Sequence, residues 1–327
     1  MTYLTIAIPT YNRAEKLEKT LNLFFEYINC DINLVSNIEV IVSNNASEDS
    51  TNEILEGIDQ KNVNYKYFNQ ISNIGLDRNM EFLYQKSQGK YVWYFSDDDV
   101  IFFGSIEKII RILKKYTPEA LLFSFTQPAG SLVRIFNYKE EVKIFQKPNE
   151  IIEILVGYPK LSIYIYKNQK LDANSWRLLE KFYGSNYFFV ALGFSILEIA
   201  KNPSLAIISE PLAGCDVDFN KIRFTPETWG TGWIPLEHPY PKLRAPNFIH
   251  EKKKRGYYDQ IQALYAYKSG AWIVSDPLSY EAFIAEVELK PLWLAQKPKA
   301  FMQIIVLKLG LVAIWAKFFS RAQKNVL

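Results

Sequence analysis

Between residues 3 and 95 the chain repeats one local pattern: a short apolar run, a polar loop, then a segment with apolar residues at helical spacing. Residues 3–8, YLTIAI, read as a strand, and the AEKLEKTLNLFFEYI that follows puts Leu17, Leu21, Phe24, Phe25 and Ile28 on one face of a helix. IEVIV at 38–42 predicts a second strand, SNNASEDS its loop and residues 51–58 a helix. NYKYF at 64–68, SNIGLDRN and residues 76–86 repeat the order, and residues 91–95 supply a fourth strand. Strands that alternate with helices are joined by crossovers, which predicts an α/β fold with a mostly parallel sheet. In such sheets ligands gather beyond the carboxyl ends of the strands. The loops IPTYNR, SNNASEDS, SNIGLDRN and SDDDV all lie there, so residues distant in the chain can converge on one ligand.

The fourth strand runs directly into three carboxylates, as YVWYFSDDDVI. Adjacent like charges disfavour one another's ionised forms, so this run needs a cation or a ring of donors, or else it is an acidic turn or helix cap. The convergence of the four loops favours a site.

From residue 104 the pattern changes. A helix to residue 116 precedes strands at 120–125, 132–136 and 161–166, a mixed and partly antiparallel arrangement. Residues 187–201 are apolar almost all round and predict a buried helix, and SLAIISEPL a closing strand and turn. Residues 216–250 are rich in Pro, Gly and Trp with little periodicity, which suits a lid or active-site loop.

The chain of 327 residues is 49% hydrophobic and 22% charged, enough for a large core, and a net charge of +3 does not point to nucleic acid. Cys30 and Cys215 match neither a disulfide framework nor a metal cluster and read as inert core thiols in a reducing cytosolic setting. The N-terminus lacks the features of a signal peptide, and no run reaches the roughly 18 apolar residues of a spanning helix. His238 and His250, the two histidines, give no basis for histidine-based zinc chemistry.

Taken in order, IAIPTYNRAEKLEKTL, IVSNNASEDST and NIGLDRNMEFLYQKSQGKYVWYFSDDD resemble the nucleotide-binding half of family-two glycosyltransferases, which have the GT-A fold. The resemblance implies a donor site of Pro9, Thr10, Tyr11 and Arg13, then Asn44 and Asn45, then Arg78 and Asn79, then Asp97 and Asp98. It implies Mg2+ or Mn2+ on Asp99 and, through water, Asp97, neutralising the leaving diphosphate. Tyr11 stacks on the base or is a loop aromatic, and Arg78 meets the diphosphate or is a surface arginine. The corresponding domains are 1–215, with a nucleotide-binding half at 1–103 and an acceptor half at 104–215, then the lid, then a helical region at 251–327.

Two departures stand out. Where the family commonly has an acidic residue that accepts the uracil imide N–H, this chain has Asn44, whose amide can accept or donate. Where the family carries a Glu–Asp pair whose Asp is the general base, this chain has GSNYFF at 184–189, leaving Glu180, Asp216 and Asp218 as base candidates. FYGSNYFFVALGFSILEIAKNPSLAIISEPL resembles the abequosyltransferase-like branch, which attaches deoxysugars in surface-polysaccharide assembly. In the lid, Arg223, Trp229 and Trp233 close over the donor or pack internally.

Wound as a helix, the C-terminal segment puts Lys299, Gln303, Gly310, Lys317, Arg321 and Lys324 in one stripe beside a broad apolar face, and EKKKR at 251–255 adds a basic patch. This suits a helix in an anionic membrane interface, or one packed on the domain or a partner subunit. The expectation is a cytoplasmic glycosyltransferase, peripheral at the inner face of the cell membrane. It would move a sugar, with inversion, from a nucleoside-diphosphate sugar to a glycan or polyprenyl-linked acceptor. An aspartate-dependent phosphohydrolase and a non-catalytic sugar-nucleotide-binding or scaffolding protein are the competing readings.

Overall fold

The computed structural model describes residues 2–126, 129–130 and 134–215, with isolated positions further on at 221–222, 273–274, 302, 305–306 and 309. The expected lid and C-terminal region lie almost wholly outside the described residues, as do Asp216, Asp218, Arg223, Trp229, Trp233 and the stripe from Lys299 to Lys324. The chain divides into two compact units, Met1–Asp216 with His238–Ala245, and Val217–Glu237 with Pro246–Leu327. Within the second, Lys221–Ile222 and Ile273–Val274 pair in parallel.

The first unit runs β1 (Leu4–Thr10), α1 (Ala14–Asn29), α2 (Ile32–Asn37), β2 (Ile38–Asn44), α3 (Thr51–Gly57), β3 (Asn64–Asn69), α4 (Leu76–Lys86) and β4 (Tyr91–Tyr94). It continues with β5 (Val100–Ile101), α5 (Ser105–Tyr116), β6 (Ala120–Thr126), β7 (Val142–Phe145) and α6 (Pro148–Gly157). Then come β8 (Tyr164–Lys167), α7 (Ala173–Leu179), α8 (Phe188–Ile199) and β9 (Leu205–Gly214). The sheet order is β3-β2-β1-β4-β8-β6-β9-β5, with β7 on β9. The four strands read as parallel are parallel, with Leu4 opposite both Ile38 and Tyr91. The second half is mixed: β8 runs antiparallel to both β4 and β6, and β6 pairs β9 in parallel through an irregular register.

The helical periodicity of α1 translates directly into burial of Leu17, Leu21, Phe24, Phe25 and Ile28. Phe24 and Phe95 stack edge-on at 4.9 Å, and Trp93 lies edge-on to both Phe95 and Phe123, which ties α1 to β4 and β6. A fully buried side chain of this size contributes about 1.5–3 kcal/mol. Gly89 enters β4 so close to β1 that a Cβ there would lie 2.6 Å from the Thr5 amide nitrogen. α8 is buried from Phe188 through Leu197, as its all-round apolar sequence predicts.

Several expectations change. Of the strand expected at 132–136, the described residues 134–136 form an isolated bridge between Thr126 and Arg134, and the Phe136 amide donates to the Ser124 hydroxyl. Leu161–Ile163, read as strand, is a 3-10 turn preceding β8. The short elements α2, β5, β7, α6 and α7 carry too few periodic residues to be read in advance. Cys30 is not a core thiol: it is exposed at the end of α1 and donates to the Glu26 carbonyl at 3.2 Å.

Candidate active site

β1 and β2 end in register, Thr10 opposite Asn44, and β4 ends beside them, with the Phe95 amide donating to the Ala7 carbonyl at 3.0 Å. The loops that leave these strands are cross-braced. Asn12, at φ 51, donates its amide to Ser47 Oγ and accepts from the Glu48 amide, both at 2.8 Å. Asp49 accepts from the Ala14 amide and from Thr51, capping α1 and α3 together. Burial of Asp49 opposes ionisation, but these hydrogen bonds outweigh it and hold the carboxyl below its usual range.

Asp97 and Asp98 lie in a turn, and the acidic triad is surrounded by hydrogen-bond donors. Asp97 accepts from Arg13 Nη1 and Thr10 Oγ1, each at 2.7 Å. Asp98 accepts from Ser96 Oγ at 2.6 Å and faces Arg13 at 3.1 Å and Lys16 at 3.7 Å. Asp99 meets Lys160 Nζ at 2.9 Å and the Ser162 hydroxyl. The Thr20 hydroxyl of α1 lies 3.1 Å from the Asp97 carbonyl and 3.3 Å from that of Asp99, fixing the backbone between them. Side-chain exposure separates the three: 4% for Asp97, 23% for Asp98 and 0% for Asp99. Burial pushes Asp97 and Asp99 upward, partly offset by the facing Arg13 and Lys160. Burial acts on Asp98 too, but Arg13, Ser96, Lys160 and Lys16 outweigh it and hold that carboxyl below 3.8.

The asparagines form a separate polar lattice. Asn44 donates to Asn52 and Asn69 and accepts from the Ser47 amide. Asn45 donates to Asn73 and accepts from the Ile74 amide, and Asn79 donates to the Ser43 carbonyl. All three are buried, whereas Tyr11 is exposed. The expected donor residues from Pro9 to Asp98 therefore gather at one end of the sheet, Asn44 and Asn45 holding the loops to one another. A cavity of about 520 Å3 between α2 and α5, lined in part by Asp31, Asn37, Arg111 and Lys114, contains none of them.

Residues 5–174, more than half of the chain, match the family described as glycosyl transferase family 2. The chain belongs to this family. It is 28% identical to abequosyltransferase RfbV of Salmonella typhimurium over 234 residues, 66% of this chain and 67% of the relative. It is 22% identical over 222 residues to the GalNAc(5)-diNAcBac-PP-undecaprenol beta-1,3-glucosyltransferase of Campylobacter jejuni, 63% of this chain and 68% of that one. The structure of S. aureus TarS 1–349 in complex with UDP-GlcNAc superposes with a TM-score of 0.58 at 14% identity, covering 97% of this chain and 92% of that one. The fold is thus GT-A, and the protein is a glycosyltransferase related to bacterial glycosyltransferases.

At the 184–189 loop, where the resemblance puts the family's general base and this chain has no carboxylate, a carboxylate arrives from another element. Asp77, in the first turn of α4, accepts from the Asn186 amide at 2.9 Å and the Phe188 amide at 3.1 Å. Burial raises its pKa although these amides oppose the shift. The neighbouring Arg78 lies over the Tyr183 ring, 4.8 Å from its centre, and the Tyr183 hydroxyl donates to Glu81. Arg78 is exposed, and Glu180 is exposed at the start of the 3-10 turn Glu180–Phe182. Lys160, Ser162, Thr20 and Asp77 went unread in the sequence. The one available signal was an aspartate beside the Arg–Asn pair, in LDRN.

Proposed function

We propose that this glycosyltransferase moves a sugar, with inversion, from a nucleoside-diphosphate sugar to a hydroxyl of a glycan or polyprenyl-linked glycan during surface-polysaccharide assembly. The observation that carries the reading is the meeting of the β1 and β4 loops at Asp98, the most exposed carboxylate of the triad, beside Arg13 and Lys16, with the β2 loop braced against the β1 loop at Asn12 and Ala14. The relatives support the acceptor class: one acts on a substrate whose name includes PP-undecaprenol, and the other transfers abequose.

Family members commonly use a divalent cation, and the donor set here fits one at Asp98. Mg2+ is usually held by one or two carboxylates together with substrate phosphates and waters. Among the described residues no group of three or more acidic, histidine or cysteine side chains is arranged to cage a metal, so the phosphates must supply the other ligands. Mg2+ or Mn2+ would neutralise charge that develops on the leaving diphosphate. Arg13 and Lys16 add fixed positive charge at the same edge, while Thr10 and Arg13 keep Asp97 rigid beneath it. Tyr11 is the exposed aromatic available to stack on the base. Exposed Arg78 meets the diphosphate only by leaving the Tyr183 ring. The acceptor hydroxyl attacks the anomeric carbon in line, its proton taken by Asp216, Asp218 or Glu180. The region 251–327 would hold the enzyme at the inner face of the cell membrane, where a lipid-linked acceptor resides. Among the described residues no helix is long and apolar enough to cross a membrane.

The test is thermal stabilisation by UDP, CDP, dTDP and GDP, each with and without Mn2+. A ligand at a hundred times its dissociation constant adds about 2.7 kcal/mol. A shift for one base, enhanced by Mn2+, supports the transferase site; no shift for any of the four overturns it.

A further inference from the structure

The side-chain amides around Asn44 form a chain whose polarity the backbone fixes. The Ser47 N–H donates to Asn44 Oδ1 at 3.0 Å, so the Asn44 amino group donates onward, to Asn52 Oδ1 at 2.7 Å and Asn69 Oδ1 at 3.2 Å. Both hydrogens of that amino group are thereby used. Asn45 repeats the arrangement: its oxygen accepts from the Ile74 amide at 2.9 Å, and its amino group donates to Asn73 Oδ1 at 2.8 Å. Asn73 Oδ1 accepts from the Gly75 amide as well, at 2.9 Å.

Asn44 and Asn45 are buried, whereas Asn52, Asn69 and Asn73 are exposed. The three outer residues have their oxygens tied to the interior, which leaves their amino groups as the ends a ligand can meet. Among the described residues no acceptor pairs with those amino groups. Asn52, from α3, and Asn69, from the end of β3, hang from the same Asn44 nitrogen and so are neighbours. At the position where the resemblance puts an acid that accepts a ring N–H, this chain thus has a buried amide flanked by outward N–H donors. Uracil, thymine and guanine each carry such a ring N–H, and donor facing donor leaves both unpaired at a cost. Cytosine carries none there: its N3 and the adjacent O2 both accept, the pattern that two neighbouring amino groups complement.

We propose that Asn52 and Asn69 determine the base specificity of the donor site, their outward amino groups hydrogen-bonding the unprotonated N3 and the O2 of cytosine, so that the donor is a cytidine-diphosphate sugar. Donors whose base carries a ring N–H at that edge are disfavoured by the same groups. This rests on the transferase reading above.

Calorimetric titration of the full chain with CDP, UDP, dTDP and GDP, in the presence of Mn2+, tests it. Wild type binds CDP tighter than each of the other three by about tenfold or more, the discrimination expected of one or two hydrogen bonds. Asn52→Asp and Asn69→Asp, made singly, each keep an oxygen for the Asn44 amino group and put an acceptor where the outward donor stood. The added charge weakens every diphosphate alike, so the readout is the ratio of CDP to UDP affinity, which falls about tenfold in at least one variant. An asparagine with only a structural role would lower both affinities and leave that ratio unchanged. The inference is overturned by UDP, dTDP or GDP binding to wild type at least as tightly as CDP, or by a ratio that neither variant moves. If none of the four nucleotides binds, the transferase reading itself falls, and this inference with it.

Discussion

The carboxylate of Asp77 accepts the backbone N–H of Phe188 at 3.1 Å, joining the first turn of α4 to the first residue of α8. α8 has no capping side chain of its own, since Tyr187 occupies its N-cap, so Asp77 satisfies helix-terminal donors across the fold. The turn of α4 that carries Arg78 and Asn79 is thus physically tied to the loop that leads into α8.

Replacing Asp77 with Ala leaves the Asn186 and Phe188 amides without their acceptor. We expect a loss of about 1–3 kcal/mol in urea unfolding, the cost of stranding buried donors, and a smaller loss for Asp77→Asn, which retains one carbonyl oxygen. Equal stability of wild type and Asp77→Ala would refute this role.

Lys160→Met leaves Asp99 charged and wholly buried with no cation. The expected cost is about 3–5 kcal/mol, with most of it recovered in Lys160→Met/Asp99→Asn, because isosteric removal of both partners is often close to neutral. A double-mutant cycle by denaturant unfolding measures the recovery, and purely additive losses would contradict it.

Asn44→Asp restores the acidic residue common in the family but removes the amide that donates to both Asn52 and Asn69. The variant should be about 1–3 kcal/mol less stable and should show no gain in UDP affinity. Calorimetry showing tighter UDP binding by this variant would mean that the buried lattice rearranges to admit the base.

Because Asp98 is held below its ordinary value of 3.8, the folded protein binds fewer protons there than the unfolded chain. Its stabilisation is therefore present above that value and is lost as pH falls through the lower folded value. Asp77, Asp97 and Asp99, raised by burial, give the opposite slope: their contribution is present below 3.8 and lost as pH rises through their folded values. The stability difference between wild type and Asp98→Asn, from urea midpoints, should shrink on acidification below about pH 4. A difference that is constant with pH would show that Asp98 does not titrate in this range.

The order of strands and helices through β4 was legible in the sequence, because a period of two or a continuous apolar run specifies a strand and a period near 3.6 a helix, whatever the partner. The same patterns put the four loops at one end of the sheet, where the candidate site from Pro9 to Asp99 gathers. The burial of Asp97 and Asp99 and the exposure of Asp98 were not legible: three identical side chains in a row have no pattern to tell them apart. What separates them comes from elsewhere in the chain, namely Thr10, Arg13 and Lys16 from the first βα unit and Lys160 and Ser162 from a 3-10 turn. The sequence by itself determined the α/β framework and the end of it at which the candidate site gathers. Only the tertiary structure decided which aspartate remains exposed and which cation faces each of its neighbours, because hydrogen-bond and charge partners are set by proximity across the sheet and leave no local periodicity.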